Sequence, residues 1–346
     1  MTSPGHEVRR VGVVGAGFMG GTHAAAWASL GVPVTVFAPD AAHARVAAEP
    51  AGADIATSLG QLLATVDLVD ICTPTDTHPA VARAAAAAGR HVLVEKPLAL
   101  DADAAAGIVE ACHAAGVRLF VAHVLRYVPE YAAARSAVMA GEIGDPAVLR
   151  LKRAAFRPQK PAGHWLFDPA RSGGMAFDLL IHDIDFARWV AGDVARVFAW
   201  SAGIERPDRP LDHAFLTLTH ASGAITQITG SWAYGPPTFR TAMEIAGSRG
   251  LIAYDSERAQ PLLPFLHARP DSGQGAVGIS RSLALDDPFT EQLRDVLRAI
   301  RDGGETRVTA HDATEAVRIG AAVNASARTG RAVDVVVPAP AAGGAA

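Results

Sequence analysis

Short apolar runs alternate with stretches of helical periodicity through the first part of the chain. Val11 to Val14, Val34 to Phe37, Leu68 to Cys72 and His91 to Val94 read as strands buried on both faces, since each is a nearly continuous apolar or β-branched run. Between them, Thr22 to Leu30, Ala41 to Glu49, Leu59 to Ala64 and the alanine-rich Pro79 to Ala88 read as helices, the last closed by Gly89. Strands separated by helices of this length predict right-handed βαβ crossovers and a doubly wound parallel sheet, with any ligand at the carboxyl ends of its strands.

From Ala147 the rhythm changes to strands with shorter connections. Ala147 to Phe156, Val194 to Ala202, His213 to Thr219, Ala224 to Ser231, Ala242 to Ala246 and Leu251 to Tyr254 read as a large, mostly antiparallel sheet, and helices return at Thr290 to Arg301 and His311 to Arg328. Within His213 to Thr219, Ala214, Leu216 and Leu218 fall on one face and Phe215, Thr217 and Thr219 on the other, so both faces carry apolar groups. The expected fold is α/β: an N-terminal Rossmann doubly wound parallel sheet followed by an α+β domain. Boundaries are expected at 1–124 and 125–337, with 338–346, built only of Pro, Ala and Gly, as a flexible tail.

The 346 residues suit two domains at roughly 150 residues each. Half are hydrophobic, 19% are charged, and the net charge of -4 is spread without blocks, which excludes a disordered chain and argues against a nucleic-acid partner. Cys72 and Cys112 form neither a framework nor a CxxC pair; they suit a reducing compartment as buried small hydrophobes and leave no thiolate metal site. Arg9-Arg10 before the apolar Val11 to Met19 superficially resembles an export signal, but glycines break that run and no cleavage site follows. No other segment reaches the roughly 18 apolar residues of a membrane span, so a cytoplasmic location and no membrane partner are expected. Of 31 basic residues only Lys96, Lys152 and Lys160 are lysines. Against that bias a lysine is informative, because it can be tuned to release a proton and arginine cannot.

Gly15-Ala16-Gly17-Phe18-Met19-Gly20 follows the first strand and opens a helix. In that context Gly15 permits a tight turn, Gly17 lets the backbone approach a pyrophosphate, and Gly20 lets helix and strand pack closely, with Phe18 and Met19 on the same loop; the alternative is a plain glycine-rich loop. The acidic residue expected at the end of the second strand is absent, because Phe37 is followed by Ala38-Pro39-Asp40. Asp40 either accepts from a ribose hydroxyl or merely caps the helix beginning at Ala41, whereas Ala38 would tolerate a 2'-phosphate met by His43 or Arg45. The cofactor is NAD or NADP, with NAD favoured because no arginine stands next to the strand end.

Cys72-Thr73-Pro74-Thr75-Asp76-Thr77-His78 follows the third strand and Glu95-Lys96-Pro97 the fourth. Together with the glycine motif these resemble the Gfo/Idh/MocA family of glucose-fructose oxidoreductase, inositol 2-dehydrogenase and relatives. The resemblance continues through Arg126, the segment Gly141 to Gly144, Trp165 and Ser172 to Asp185, then through Gly223 to Trp232, Glu244 to Gly250 and Ala325 to Val333. It implies a dinucleotide-binding domain at 1–124 and a substrate and oligomerisation domain at 125–337. It assigns catalysis to Lys96, Asp178 and His182 and substrate contacts to Arg126, Trp165 and Asp185. Cofactor contacts follow from Thr73, Pro74, Thr75, His78, Glu95 and Lys96. In relatives one sheet face meets a partner subunit, so a homodimer or homotetramer is expected, the alternative being a solvated face.

The residue types suit that chemistry. Asp178 and His182 are four apart and Asp185 three further on, so one continuous helix would place all three on one face, with Asp183 turned away or capping locally. His182 titrates near neutrality and can take a hydroxyl proton as hydride leaves the carbon, while Lys96 can stabilise the developing alkoxide. Seen alone, Asp178 and His182 could be a surface pair and Glu95-Lys96-Pro97 a simple turn. Zinc on His182, Asp178 and Asp185 lacks thiolate or HExxH support, so no metal is expected. Met175 and Ile181 replace a glycine and a small residue often found in the family, which reshapes the sugar side of the pocket and leaves substrate identity open. The expected activity is hydride transfer between nicotinamide and a secondary hydroxyl or ketone of a sugar, cyclitol or related polyol. The alternatives are an NAD-dependent glycoside hydrolase using transient oxidation and a non-catalytic sensor.

Overall fold

The computed structural model describes residues 7–158, 160–204, 211–235, 237–257, 263–266 and 287–335. The expected tail at 338–346 lies outside them. In chain order the elements are β1 (Val11–Val14), α1 (Phe18–Ser29), β2 (Val34–Phe37), α2 (Ala41–Ala48), β3 (Asp54–Ile55), α3 (Leu59–Thr65), β4 (Leu68–Ile71), α4 (His78–Ala87), β5 (His91–Glu95), α5 (Ala102–Ala114), β6 (Leu119–Ala122) and α6 (Pro129–Met139). There follow β7 (Pro146–Phe156), α7 (Pro169–Ser172), α8 (Gly174–Asp178), α9 (Ile181–Ala191), β8 (Val194–Ile204), β9 (Leu211–His220), β10 (Ile225–Tyr234), β11 (Phe239–Gly247), β12 (Gly250–Asp255), β13 (Leu263–Leu266), α10 (Pro288–Asp302), α11 (Ala310–Thr329) and β14 (Val333–Asp334). Short 3-10 turns fall at Thr75–Thr77, Val124–Tyr127 and Trp165–Phe167.

Two compact units share these elements. One draws on the spans Met1–Ala132, Lys160–His182 and Ser282–Val317, the other on Ala133–Gln159, Asp183–Arg281 and Arg318–Ala346. In the first unit all six strands run parallel in the order β3-β2-β1-β4-β5-β6. β1 is central, with Val11 opposite Val34 on one side and Leu68 on the other. Four consecutive buried residues in β1 and again in β4 explain why these strands carry no polar alternation: helices cover both faces. Chain order reverses between β1 and β4, the position where such sheets open a crevice at the strands' carboxyl ends.

α10 packs in this unit. Leu293, Val296, Ala299 and Ile300 join a core with Val11, Val13, Ala24, Trp27, Val34 and Val36. The sequence reading places the helix at 290–301 in the second domain, but its apolar stripe, spaced three and four apart and started by the Asp287 cap, finds its partners on α1. Each fully buried Leu, Val or Ile contributes about 1.5–3 kcal/mol, enough to hold the helix there across a long insertion.

The second unit carries an eight-stranded sheet in the order β13-β12-β11-β7-β10-β9-β8-β14. Every pairing is antiparallel except β10 with β7. Ala214, Leu216 and Leu218 face inward, whereas Phe198, Trp200 and Phe215 are 44%, 52% and 50% exposed. Trp200 and Phe215 are directly cross-strand, with ring centroids 6.0 Å apart. Asp183, expected to face away or cap locally, is fully buried: Arg153 Nε and Nη2 donate to its two oxygens at 2.6 and 3.2 Å.

Candidate active site

The glycine turn is shaped by three different constraints. Gly15 has φ +107, a region that disfavours side chains, and its N–H donates to Phe37 O at 2.9 Å. A Cβ at Gly20 would overlap the Gly15 carbonyl oxygen, so this glycine sets the approach of α1 to β1. A Cβ at Gly17 would meet nothing within 4 Å. Gly17 caps α1 without a side-chain hydrogen bond, and the first turn carries no acidic residue, so no side chain among the described residues caps the amides that open this helix. An anion fits that cradle, and pyrophosphate is the group of NAD that would take it. Phe18 is 79% exposed beside it and Met19 is half-buried.

At the end of β2, Ala38 is half-buried and Asp40 caps α2, accepting from Ala42 N at 2.8 Å and His43 N at 3.4 Å. Of the two readings of Asp40, capping is the one its geometry makes. Those backbone N–H groups hold its carboxyl below the usual range.

After β4, Thr77 Oγ1 donates to Pro74 O at 2.7 Å and accepts from the Thr73 hydroxyl at 2.8 Å, fixing the Thr73-Pro74-Thr75 turn. Thr73 and Pro74 are half-buried and Thr75 is buried. His78 was expected to touch the cofactor. Instead it is buried with Nδ1 on Pro97 O and Nε2 on Thr73 O, which leaves neither nitrogen for a ligand.

Glu95 is likewise buried. Its Oε2 accepts from Lys96 N at 2.9 Å, and its Oε1 lies 3.2 Å from His23 Nε2, within ion-pair range although not aligned as a hydrogen bond. His23 Nδ1 meets Asp70 Oδ2 at 2.9 Å, and the same oxygen accepts from Trp27 Nε1 at 2.7 Å. Burial alone would lower the His23 pKa, but the Asp70 carboxylate, with Cys72 beside it, outweighs burial and holds it well above the ordinary value. Cys72 is half-buried rather than buried and contacts Asp70 Oδ1 at 3.5 Å; burial pushes its thiol up. Among the described residues His23, Asp70 and Cys72 form the group of possible metal donors, and they are engaged with one another. The sequence reading missed His23, Trp27 and Asp70, although a histidine three residues after Gly20 on the helix's inner face was a visible signal.

Lys96 reaches across to the chain segment that carries Asp178. Its Nζ donates to Asp178 O at 2.6 Å and lies 3.4 Å from Asp178 Oδ1. Asp178 and His182 do not share one continuous helix face. α8 ends at Asp178, Leu179 N and Leu180 N both donate to Met175 O, and α9 starts at Ile181. The doubled acceptance at Met175 interrupts the hydrogen-bond ladder that a single helix would need. His182 is half-buried in the first turn of α9, while Asp185 is 1% exposed. Trp165 is half-buried in its 3-10 turn. Arg171 clasps Asp76, Nε to Oδ2 at 2.8 Å and Nη2 to Oδ1 at 3.4 Å, so this segment is pinned to the turn after β4. Nothing local in the sequence announced that pair.

Arg126, expected to position substrate, is 1% exposed and occupied otherwise. Its Nη1 donates to Arg307 O at 2.7 Å and Asp312 Oδ2 at 3.0 Å. Burial would raise the Asp312 pKa, but the Arg126 guanidinium and the Thr309 donors hold it far below the usual carboxylate value. The pair joins the turn after β6 to the start of α11.

A parallel sheet with an anion-sized cradle at its switch point, and a lysine at the end of the neighbouring strand, defines a dinucleotide-dependent enzyme. Residues 9–123 match the family model described as an oxidoreductase family with an NAD-binding Rossmann fold, and residues 131–253 match the GFO/IDH/MocA C-terminal domain. The chain belongs to the Gfo/Idh/MocA oxidoreductases. It is similar to myo-inositol 2-dehydrogenase of Thermotoga maritima, 30% identical over 78% of this chain and 79% of the relative. It is also similar to UDP-N-acetylglucosamine 3-dehydrogenase of Acidithiobacillus ferrooxidans, 31% identical over 84% and 88%. A solved levoglucosan dehydrogenase, in complex with NADH and L-sorbose, superposes with a TM-score of 0.83 at 25% identity, covering 94% of this chain and 98% of that one. No helix among the described residues is long and apolar enough to cross a membrane.

Proposed function

We propose that the chain is a dehydrogenase or reductase that moves hydride between nicotinamide C4 and a secondary hydroxyl or ketone of a sugar, cyclitol or related polyol. The observation that carries this reading is Lys96 Nζ, held at the end of β5 by Asp178 O at 2.6 Å. Bound NAD supplies the hydride acceptor. The Lys96 ammonium hydrogen-bonds the substrate oxygen and stabilises the negative charge that develops on it as hydride leaves the carbon. His182 takes the hydroxyl proton, and Asp178 orients Lys96. In the reductive direction the same groups return the proton. Gly15, Gly17, Phe18, Met19 and Gly20 hold the pyrophosphate, Thr73 to Thr75 line the cofactor turn, and Trp165 faces substrate. NAD is the preferred cofactor, since no arginine stands next to the end of β2 to meet a 2'-phosphate.

The two free cysteines suit a cytoplasmic protein. The exposed aromatic strip of Phe198, Trp200 and Phe215 supports a homodimer or homotetramer joined through that sheet face.

The test is absorbance at 340 nm across inositols, aldoses, sugar acids and aryl glycosides, each with NAD and NADP, alongside His182→Ala. Reduced nicotinamide should accumulate with one substrate class and only with His182 intact. Aglycone release without net reduction would replace this reading with a redox-assisted glycosidase.

A further inference from the structure

His78 is a buried titratable group that the proposed chemistry does not use. It opens α4 and is 1% exposed. Its Nδ1 lies 2.9 Å from Pro97 O and its Nε2 3.0 Å from Thr73 O. Both partners are backbone carbonyls, which only accept, so each contact is a hydrogen bond only when that nitrogen carries a proton. One carbonyl belongs to the turn after β4 and the other to the turn that presents Lys96. The ring therefore spans the ends of two adjacent strands of the sheet.

We propose that His78 is a positioning residue: it ties the Lys96-Pro97 turn to the Thr73-Pro74 turn, and so sets where the Lys96 ammonium stands, without touching cofactor or substrate. The inference rests on the oxidoreductase reading above. An imidazolium donates to both carbonyls, whereas either neutral tautomer donates to one and aims a lone pair at the other. Protonation therefore decides whether one turn or both are held. Burial draws the His78 pKa below its ordinary value, against the opposing pull of the Thr73 and Pro97 carbonyls and of Glu95, the charged side chain that faces it. The double tie consequently forms on the acid side of the ordinary histidine range.

His78→Phe and His78→Asn test the role, with NADH affinity measured by fluorescence titration and turnover at 340 nm from pH 5 to 9. His78→Phe should lower kcat at least tenfold while the NADH Kd changes less than threefold. His78→Asn should recover part of that loss, since its amide can still donate to one carbonyl. Unchanged kcat in His78→Phe, or an NADH Kd weakened by the same factor as kcat, would overturn the proposal. Should the variants fail to fold, nitrogen-15 histidine spectra of the wild-type protein decide. Slowly exchanging ring protons, two at low pH and one at high pH, are expected, and a ring whose protons exchange freely with water refutes the tie. Those spectra need no substrate. A chain inert toward every sugar would therefore sink the oxidoreductase reading while leaving the tie to be judged separately.

Discussion

Gly17→Ala and Gly20→Ala add the same methyl group three residues apart and should fail in opposite ways. At Gly20 the new carbon would overlap the Gly15 carbonyl oxygen and stand 2.8 Å from its carbon, both backbone atoms that cannot swing aside. Moving α1 away from the turn costs about 3 kcal/mol, the upper end of overpacking penalties. Alanine's better helix propensity returns about 1 kcal/mol, leaving a net loss of about 2 kcal/mol. At about 1.4 °C per kcal/mol for a chain of this size, the cofactor-free protein should melt about 3 °C lower. Gly17 has open space and an ordinary φ of -79, so alanine there costs only about 0.5–1 kcal/mol as a poorer cap. Its methyl group stands where the pyrophosphate must approach, and the NADH Kd should weaken about 10- to 100-fold, or about 1.4–2.8 kcal/mol. Thermal melts without cofactor and NADH fluorescence titrations separate the two effects. A Gly17→Ala protein that binds NADH with wild-type affinity would refute the cradle at α1; a Gly20→Ala protein as stable as wild type would refute the packing argument.

Asp70→Asn removes the charge that raises the His23 pKa. A histidine whose folded pKa is raised stabilises fully below its unfolded value, near about 6.5, and loses that contribution as pH rises through the folded value. The stability gap between wild type and Asp70→Asn should thus be about 3 kcal/mol at pH 6 and narrow as pH rises through the folded His23 value, and a gap in urea unfolding that does not fall with rising pH would contradict the pairing. Trp200→Glu with Phe215→Glu should convert an oligomer to a monomer in light scattering, and a monomeric wild type at micromolar concentration would remove the sheet-face interface. Lys96→Arg should keep NADH binding and lose at least 100-fold in turnover, because a planar guanidinium cannot reproduce the point contact of Lys96 Nζ on Asp178 O and so displaces the charge from the substrate oxygen; activity within threefold of wild type would refute the positioned ammonium.

The parallel strands were legible because β1, β2, β4 and β5 are short, apolar and buried on both faces, so composition alone marks them. α5 and β6 escaped notice: Ala102 to Ala114 is so rich in alanine that it carries little amphipathic contrast, and without that helix nothing set β6 apart as a further strand of the alternation. The break between α8 and α9 was hidden for a different reason. Leu179, Leu180 and Ile181 are all buried and continue an apolar run through the interruption, which two N–H groups sharing the Met175 carbonyl create. Partners of buried polar groups were the least legible. Arg126 finds Asp312 across 186 residues and Arg171 finds Asp76 across 95, distances over which periodicity says nothing.

The distribution of cations within the fold follows the proton chemistry of the side chains. Arg126 and Arg153 have side chains only 2% and 4% exposed, and each meets an aspartate. A guanidinium cannot neutralise itself on burial, so such a cation must bring a partner, and the two-point grip of Arg153 on Asp183 shows the geometry that offsets desolvation. Lys96 is held differently. Its side chain is 15% exposed, and its short contact is to a neutral carbonyl while the Asp178 carboxylate stands at 3.4 Å. An ammonium so held keeps donors that a substrate oxygen can accept from without breaking a buried ion pair. That difference from a permanent forked charge already gripped by an aspartate is the physical reason to seek the reacting oxygen beside Lys96 rather than beside the buried arginines.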